Sequence, residues 1–277
     1  MRILVCGGAG YIGSHTCLSL IARGHQVVIA DSGVNSSPRV VPRLRRLAGV
    51  PIPVHRVDLR DRVALTALFA TYRFDAVLHF AALKAVGDSC RRPLEYFDNN
   101  IGGTIALLQA MQGAGVRRLV FSSSATVYGE PARVPVREDA GLSVMNPYGR
   151  TKLVAEQLIE DLCTADPDFR AANLRYFNPV GAHASGTIGE DPCGEPTNLM
   201  PYICQVAVGA REKLRVFGGD YPTHDGTGVR DYIHVVDLAR AHVDALETMV
   251  RADRGFTVNL GPGPGVCVLG LVHGYGN

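Results

Sequence analysis

Residues 146–152 read NPYGRTK and place a tyrosine and a lysine four positions apart, where a helix is predicted to begin. Positions i and i+4 share one helical face, so Tyr148 and Lys152 are predicted to point the same way, roughly 6 Å apart. Most Tyr-x-x-x-Lys pairs are solvated surface pairs, and the spacing alone does not identify a site. It gains weight from other polar groups that the fold is predicted to bring nearby.

Three consecutive serines follow a predicted strand in FSSSATVYG at 121–129. Buried hydroxyls without partners are costly, so at least one is predicted to face a ligand. Ser124, Tyr148 and Lys152 form the set with which a dehydrogenase moves a proton while a nicotinamide moves a hydride. The ammonium of Lys152 and a positive nicotinamide ring are expected to lower the pKa of Tyr148 from about 10. We therefore predict that these three residues are catalytic.

The first turn of the chain reads GGAGYIG, and Gly7, Gly10 and Gly13 lie between a predicted strand and a predicted helix. Glycines there let the backbone approach a pyrophosphate, whose charge is stabilised at a helix N-terminus. Asp31 ends the second predicted strand, and a carboxylate at that point favours NAD over NADP. Asp58 ends the third strand and is predicted either to reach the adenine or to cap a helix.

Short β-rich runs alternate with helical periodicities along the first two thirds of the chain, as in a parallel sheet covered by helices on both faces. The predicted strands lie at about 2–6, 26–31, 54–58, 76–81, 118–123 and 171–176. The predicted helices lie near 12–23, 39–48, 61–71, 92–113 and 147–164. The predicted fold class is therefore α/β, a doubly wound, Rossmann-like parallel sheet.

The character of the sequence changes after residue 177. A long Gly- and Pro-rich loop precedes a helix near 199–210, a strand LRVFG, an amphipathic helix near 235–250 and a strand FTVNLG. Long loops in compact domains are usually functional. We predict an NAD-binding domain over 1–177 and a substrate-binding lobe over 178–277, interleaved with the sheet domain and packed on the carboxyl ends of its strands.

Composition restricts the class of partner. The chain has 277 residues, 47% of them hydrophobic, and a formal net charge of +2, which is too small to indicate nucleic acid or an anionic membrane. Nine histidines show no tight pairing of the kind a metal site needs, so no metal is predicted. The seven cysteines, Cys193 among them, lack Cys-x-x-Cys spacing and are expected to be reduced thiols in a cytoplasmic protein.

Longer segments make the chain resemble the extended short-chain dehydrogenases/reductases and, within them, the family of UDP-glucose 4-epimerases. These segments run in family order from residue 3 to about 260: GGAGYIGSHT, HFAALKAVGDS, PLEYFDNN, FSSSATVYG, PYGRTK, LRYFNPVGAH, NLMPYI and DGTGVRDYIHVVDLA. Several are far longer than generic superfamily signatures, so the resemblance is specific.

The resemblance implies that UDP-glucose and UDP-galactose interconvert through a 4-keto sugar, with hydride passing to and from tightly bound NAD. Tyr148 would take the proton of the sugar 4-hydroxyl, Ser124 would bond that oxygen, and Lys152 would hold the nicotinamide ribose. The implied cofactor contacts are Gly7, Gly10, Tyr11, Ile12, Gly13, Asp31, Asn35, Asp58, Leu59, Phe80, Ala81, Lys84, Asn99, Tyr148, Lys152 and Phe177. The implied substrate contacts are Ser124, Asn178, Asn198, Leu199, Phe217, Arg230, Tyr232 and Val268.

Arg230 suits a diphosphate because a guanidinium donates two parallel hydrogen bonds. The alternative for this residue is a surface ion pair with Asp231. The resemblance also implies a homodimer, paired through the helices near 92–113 and 147–164.

The end of the chain departs from the family pattern, which continues for several dozen residues beyond LVHGYGN. Gly270, Gly274 and Gly276 make a poor helix, since an interior glycine costs about 1 kcal/mol against alanine. We therefore expect a truncated or frame-shifted end and a reduced nucleotide-sugar site. Activity and the acceptance of N-acetylated sugars stay open.

Three alternatives stay open from the sequence. A nucleotide-sugar 4,6-dehydratase is disfavoured, because Ala125 and Thr126 follow Ser124 where relatives of that class carry Asp-Glu. A carbonyl reductase need not carry the NLMPYI and DGTGVRDYIHV segments. A non-catalytic NAD-binding or dimerising remnant is the alternative outside enzyme function.

Overall fold

The computed structural model describes residues 1–192 and 194–276, so Cys193 and Asn277 lie outside the described residues. The strands are β1 Arg2–Cys6, β2 Gln26–Asp31, β3 Val54–Arg56, β4 Ala76–His79, β5 Arg118–Ser122, β6 Arg170–Tyr176, β7 Asn178–Val180, β8 Val229–Arg230, β9 Tyr232–His234, β10 Phe256–Leu260 and β11 Val266–Cys267.

The α-helices are α1 Tyr11–Ala22, α2 Val40–Ala48, α3 Arg62–Thr71, α4 Val86–Arg91, α5 Pro93–Phe97, α6 Gly103–Gly113, α7 Pro147–Ala165, α8 Leu199–Ala207, α9 Val235–Ala252 and α10 Val268–Gly276. A π-helical turn at Asp98–Gly102 joins α5 to α6, and a 3-10 turn at Ala125–Tyr128 follows β5. Within the described residues, no helix is both long and apolar enough to span a membrane.

Seven strands form one parallel sheet in the order β10-β6-β5-β4-β1-β2-β3. The chain winds outward from β1 in one direction through β2 and β3, and in the other through β4, β5 and β6. The carboxyl ends of β1 and β4 therefore flank the point where the winding reverses, and ligands bind at that point in such folds. The predicted doubly wound α/β fold is confirmed.

Both faces of the sheet are buried, which explains the near-continuous apolar strand sequences. Alternate residues enter different layers: Leu4, Val28 and Val77 pack in the cluster that includes α3, α6 and α7. Ile3 and Val5 pack in the cluster on the other face, which includes α1 and α9. Each such side chain contributes roughly 1.5–3 kcal/mol on burial, so the two layers fix the strand register and with it the strand ends.

Part of the sequence after residue 177 returns to the main sheet. β10 pairs in parallel with β6, with Phe256 opposite Ala172, and α9 packs against α1. This arrangement fits a lobe interleaved with the sheet domain. The division at residues 177 and 178 stays a prediction, because the chain crosses between the two parts more than once.

Three local predictions were wrong. The helix expected near 92–113 is divided, because Pro93 begins a new helix and the Asp98–Gly102 turn is π-helical. The strand expected in LRVFG does not form, and its segment is largely exposed without a ladder partner among the described residues. α10 forms despite its glycines, because the adjoining β11 pairs with β8 and holds its start.

Candidate active site

The helix α7 begins as its sequence predicts. The Asn146 side chain caps it by accepting a hydrogen bond from the backbone N–H of Gly149 at 2.8 Å, and Pro147 occupies the first turn. Tyr148 is 7% exposed and Lys152 is 4% exposed, and both line a cleft at the carboxyl ends of the sheet strands. The pair is therefore buried in a cleft, and the solvated alternative is excluded.

The three serines after β5 each have a different partner. The Ser122 hydroxyl lies 2.7 Å from the Tyr176 phenol, and its backbone carbonyl accepts a hydrogen bond from Lys152 Nζ at 2.7 Å. The Ser123 hydroxyl donates to the buried Glu156 carboxylate. Ser124 Oγ accepts from the Thr126 hydroxyl at 3.0 Å and is the one of the three that lines the cleft. Ser124 is therefore the serine placed to face a ligand, and its contact with one stays a prediction.

Burial changes the expected electrostatics of the tyrosine. Burial of the phenol raises the pKa of Tyr148 well above its usual range, nearby Tyr176 raises it further, and hydrogen bonding with Ser124 lowers it. In the protein alone burial is the largest effect on this pKa, and the lowering expected from the lysine together with a nicotinamide ring stays a prediction for the cofactor-bound site. The Lys152 ammonium donates to the Ser122 carbonyl, and the loss of solvent around the phenol is the larger effect.

The pKa of Lys152 is lowered towards neutrality, which suits a group that carries a proton. Burial lowers the pKa of Lys152 to about 8, while the Glu156 carboxylate opposes this shift. The ammonium also lies 4.9 Å from the centre of the Phe121 ring. A group that titrates near neutrality can gain or lose a proton during turnover.

Close backbone packing requires glycine at two positions of the first turn. Gly7 adopts φ +77°, and a Cβ there would lie 2.8 Å from the backbone nitrogen of Ala81. A Cβ on Gly13 would lie 2.3 Å from the Gly7 carbonyl oxygen. Gly10 is the N-cap residue of α1 and no side chain caps this helix, so its first N–H groups are free to meet an anion.

Asp31 organises the turn beside this helix start. Its carboxylate accepts hydrogen bonds from the backbone N–H groups of Ala9 at 3.0 Å and Gly33 at 2.9 Å, and from the Ser36 hydroxyl at 2.9 Å. A carboxylate so placed on the cleft wall repels a 2′-phosphate and accepts from ribose hydroxyls.

Asp58 accepts hydrogen bonds from both the backbone and the guanidinium of Arg60, and these bonds lower its pKa. The helix cap that was the alternative for Asp58 is supplied by Asp61, whose side chain accepts from the backbone N–H of Ala64 at 2.9 Å. Asp58 itself lines the cleft.

The cleft has a volume of about 320 Å³ and unites the residues that the sequence assigns to the cofactor. All of the predicted cofactor residues line it: Gly7, Gly10, Tyr11, Ile12, Gly13, Asp31, Asn35, Asp58, Leu59, Phe80, Ala81, Lys84, Asn99, Tyr148, Lys152 and Phe177. Of the predicted substrate residues, Ser124, Asn178 and Asn198 line it as well.

The other predicted substrate residues do not line this cleft. They lie on the late segments and are Leu199, Phe217, Arg230, Tyr232 and Val268. Phe217 is 85% exposed. Tyr232 lies beside the cleft wall in register, because it pairs with Asn178 in the β7–β9 ladder, and Leu199 directly follows Asn198.

Arg230 makes no ion pair with Asp231 in the part of the chain that the structure describes. Its guanidinium donates to the backbone carbonyl of Val229 at 2.8 Å. The Asp231 carboxylate instead accepts from the backbone N–H of Gly263 at 3.1 Å. The alternative role weighed for Arg230 is therefore absent among the described residues.

Sequence reasoning missed several residues on the cleft wall. Tyr176 and Thr126 line it, and so does Glu190, whose carboxylate accepts from Lys84 Nζ at 2.9 Å and from the Asn198 amide at 2.7 Å. Tyr176 directly precedes Phe177, a predicted cofactor contact at the end of the same strand, so the sequence could have indicated it. Glu190 lies in a loop without periodicity, and no signal in the sequence pointed to it.

The cleft fits a dinucleotide. An uncapped helix N-terminus, glycines whose replacement would collide with backbone, and the Asp31 carboxylate lie at one end. The Ser124, Tyr148 and Lys152 side chains lie on the same cleft wall.

Comparisons with known proteins point to one family. A family model described as the NAD dependent epimerase/dehydratase family matches residues 3–261. The UDP-glucose 4-epimerase of Bacillus subtilis (strain 168) is 54% identical over 275 residues, covering 99% of this chain and 81% of that protein. UDP-glucose 4-epimerase 1 of Oryza sativa subsp. japonica is 57% identical over 279 residues, covering 99% of this chain and 79% of that protein.

Solved structures agree. The chain is similar to the crystal structure of UDP-glucose-4-epimerase from Stenotrophomonas maltophila with bound NAD and formylated UDP-arabinopyranose, with a TM-score of 0.96, 58% identity, and coverage of 99% of this chain and 82% of that one. For the Bifidobacterium longum UDP-glucose 4-epimerase in complex with NAD+ and UDP, the TM-score is 0.95, the identity 46%, and the coverage 99% and 82%.

The chain spans 79 to 82% of the length of these four relatives. The alignment with the Bacillus subtilis protein includes 275 residues, or 99% of this chain. The truncated or frame-shifted end expected from the sequence is not borne out by these comparisons.

Proposed function

Because this chain belongs to the NAD-dependent epimerase/dehydratase family, we propose that it interconverts UDP-glucose and UDP-galactose by inverting the sugar at C4. The observation that carries the proposal is the cleft itself. Ser124, Tyr148 and Lys152 lie on its wall together with every residue assigned to the dinucleotide, in a chain 54% identical to a UDP-glucose 4-epimerase.

NAD, when bound, accepts a hydride from C4 of the sugar and returns it, so the reaction has no net redox change. The glycine turn and the free N–H groups at the start of α1 would hold its pyrophosphate. Asp31 would accept hydrogen bonds from the adenosine ribose, and this carboxylate selects against a 2′-phosphate. Lys152 would hold the nicotinamide ribose.

Tyr148 would accept the proton of the 4-hydroxyl and later return it. A phenol whose pKa burial has raised stays protonated at neutral pH, so a positive charge beside it has to favour the phenolate before it can accept the proton. Lys152 supplies such a charge while it is protonated, below its pKa of about 8. The Ser124 hydroxyl, already bonded to Thr126, would orient the reacting oxygen.

Substrate affinity should come from the nucleotide and diphosphate. A 4-keto sugar must present both faces, so the site cannot bind the sugar ring tightly. Asn178 and Asn198 line the cleft and would contact the nucleotide sugar. Arg230, with a guanidinium suited to a diphosphate, would approach from β8, and Leu199, Phe217, Tyr232 and Val268 are the further proposed contacts on the late segments.

We further propose a cytoplasmic homodimer. The proposal rests on the family resemblance and places the contact at α5 and α7, which pack together and where Leu94 on α5 is 84% exposed. None of the six described cysteines is in a disulfide, which suits a reducing compartment. Sedimentation equilibrium of the purified chain, with a Leu94→Arg variant as the monomeric control, tests the dimer.

The proposed reaction is tested by mixing the purified protein with UDP-galactose and following the anomeric proton signals by NMR. Formation of UDP-glucose at equilibrium, without added NAD or net change in NADH absorbance, supports an epimerase. A 4-keto-6-deoxy product would indicate a dehydratase, and stoichiometric consumption of added NADH would indicate a reductase. Bound NAD without conversion would contradict the proposal.

A further inference from the structure

A buried carboxylate lies one helical turn after the lysine. Glu156 on α7 is 4% exposed, and its spacing of four from Lys152 places the two on one helical face. Its carboxylate accepts a hydrogen bond from the Ser123 hydroxyl. It also accepts from Arg175, whose Nε lies 3.0 and 3.1 Å from the two oxygens and whose Nη2 lies 2.6 Å from Oε2.

Arg175 joins Glu156 to residues on other segments of the sheet. It lies on β6 and donates from Nη1 to the Tyr128 phenol at 2.9 Å. Tyr128 in turn donates to the side-chain oxygen of Asn259 on β10 at 2.7 Å. The network therefore connects α7, the turn after β5, and the two strands β6 and β10.

Three segments of this network, all except β10, carry a residue of the cleft wall close to a network residue. Ser123 precedes Ser124, Glu156 follows Lys152 by one turn, and Arg175 lies on the strand that ends at Tyr176. A buried ion pair is weak evidence for added stability, because desolvation offsets the attraction between its charges. Such a pair has a better-supported use in fixing one arrangement of the groups around it.

The surroundings of Lys152 give the carboxylate an electrostatic effect as well. The charged or titratable groups coupled to the lysine are Glu156 on its own helix and His79 on β4, and Tyr148 and Tyr176 line the same cleft. Among these groups Glu156 is the one that favours the protonated lysine and opposes the effect of burial on its pKa. Burial lowers the pKa of His79, and the positive charge of Lys152 lowers it further.

We propose that Glu156 is a positioning residue for the reaction, which keeps Lys152 charged and, through Ser123, holds Ser124 in place. The residue touches neither the cleft nor a reacting atom, because its oxygens are bonded to Ser123 and Arg175. The expected effect on kcat rests on the proposed epimerase function, whereas the expected effect on the charge of Lys152 does not.

The charge on Lys152 can be followed without turnover. The chain contains three lysines, Lys84, Lys152 and Lys213, so ¹³C signals from their side-chain Cε atoms are few and are assigned with Lys→Arg variants at the other two positions. In Glu156→Gln, we expect the Lys152 titration to move down by about one pH unit, because an adjacent negative charge is removed. The matched control is Glu160→Gln, which changes an exposed glutamate one turn further along α7 and should leave the titration unchanged.

The placement of Ser124 is tested separately with Ser123→Ala, which keeps the buried ion pair and also serves if Glu156→Gln does not fold. We expect kcat to fall roughly 10- to 100-fold, since small displacements of a reacting group have effects of that size. The KM for UDP-galactose should stay within about twofold, and the Lys152 titration should not move. Ser143→Ala, at an exposed serine, is the control.

Glu156→Asp keeps the charge and should hold the Lys152 titration closer to the parent than Glu156→Gln does. An unchanged Lys152 titration in Glu156→Gln, or a parental kcat in Ser123→Ala, would overturn the inference. Failure of the parent to convert UDP-galactose would instead contradict the proposed function. The role of Glu156 would then be tested by the Lys152 titration in the parent and in Glu156→Gln.

Discussion

Lys152 donates a hydrogen bond from Nζ to the backbone carbonyl of Ser122 at 2.7 Å, and this bond joins α7 to the end of β5. The lysine lies one turn after Tyr148, and Ser122 lies two residues before Ser124. One bond thus fixes the lysine relative to both of the other candidate catalytic residues.

This relationship predicts how activity depends on pH. The pKa of Lys152 is about 8, so its ammonium is present below pH 8 and is lost as the pH rises above that value. We expect kcat for UDP-galactose to fall on the alkaline side of about pH 8. Lys152→Met should reduce kcat at least 100-fold and destabilise the fold by about 1–3 kcal/mol, because the Ser122 carbonyl loses its partner. A profile flat to pH 10 in the parent would contradict this role.

The glycine turn predicts a steric effect on cofactor binding. Gly13→Ala would place a methyl group 2.3 Å from the Gly7 carbonyl oxygen, so the turn has to move. We expect loss of NAD binding, measured by fluorescence titration, together with a lower Tm. Gly113→Ala is the matched control, because a Cβ at this last residue of α6 meets nothing within 4 Å. Parental NAD affinity in Gly13→Ala would show that the turn does not need to approach the cofactor closely.

The nucleotide preference depends on Asp31. Its two carboxylate oxygens accept from the backbone N–H groups of Ala9 and Gly33, and an asparagine can accept on one oxygen only. Asp31→Asn should weaken NAD binding about tenfold and reduce the discrimination against NADP, since the negative charge that repels the 2′-phosphate is lost. Isothermal titration with both dinucleotides measures this, and equal discrimination in the parent and the variant would contradict it.

Three histidines, His15, His79 and His242, are buried with lowered pKa values, and they predict the response to acid. Burial lowers the pKa of His79 to about 3 and that of His242 to about 4, against 6.5 for the ordinary group. Below pH 6.5 the unfolded chain gains protons that the folded chain does not take up. The free energy of unfolding should therefore fall by about 1.4 kcal/mol per pH unit for each histidine until the pH reaches the folded pKa.

Urea unfolding between pH 6.5 and 4.5 measures that slope. His242→Phe should reduce it by about 1.4 kcal/mol per pH unit, since one of the three buried groups no longer titrates. His224→Gln, which changes an exposed histidine, should leave the slope unchanged. An equal slope in the parent and His242→Phe would show that His242 does not contribute.

Local and periodic features were predictable from the sequence. The strands β1 and β2 have the predicted bounds, because alternate residues such as Leu4 and Val5 are buried on opposite faces and leave little freedom of register. The Tyr148–Lys152 pair was predictable for a similar reason, since helical geometry alone fixes the relation of i to i+4.

Features that depend on distant contacts were not predictable. Glu156, Ser123 and Arg175 meet only after three segments pack together, and nothing local marks a glutamate on a helix as buried. The position of Phe217 follows from long loops without periodicity, so a resemblance could name it but could not place it. The raised pKa of Tyr148 likewise comes from burial, which spacing does not report.

The central claim is that the Tyr148 phenol moves the proton of the sugar 4-hydroxyl. The most direct measurement is kcat for UDP-galactose conversion by Tyr148→Phe, with Tm and UDP affinity measured on the same preparation. We predict a fall in kcat of about 10²- to 10⁴-fold, the size of a general acid–base contribution, with Tm and UDP binding near the parental values. A Tyr148→Phe protein that interconverts the two sugars at the parental rate would contradict the account.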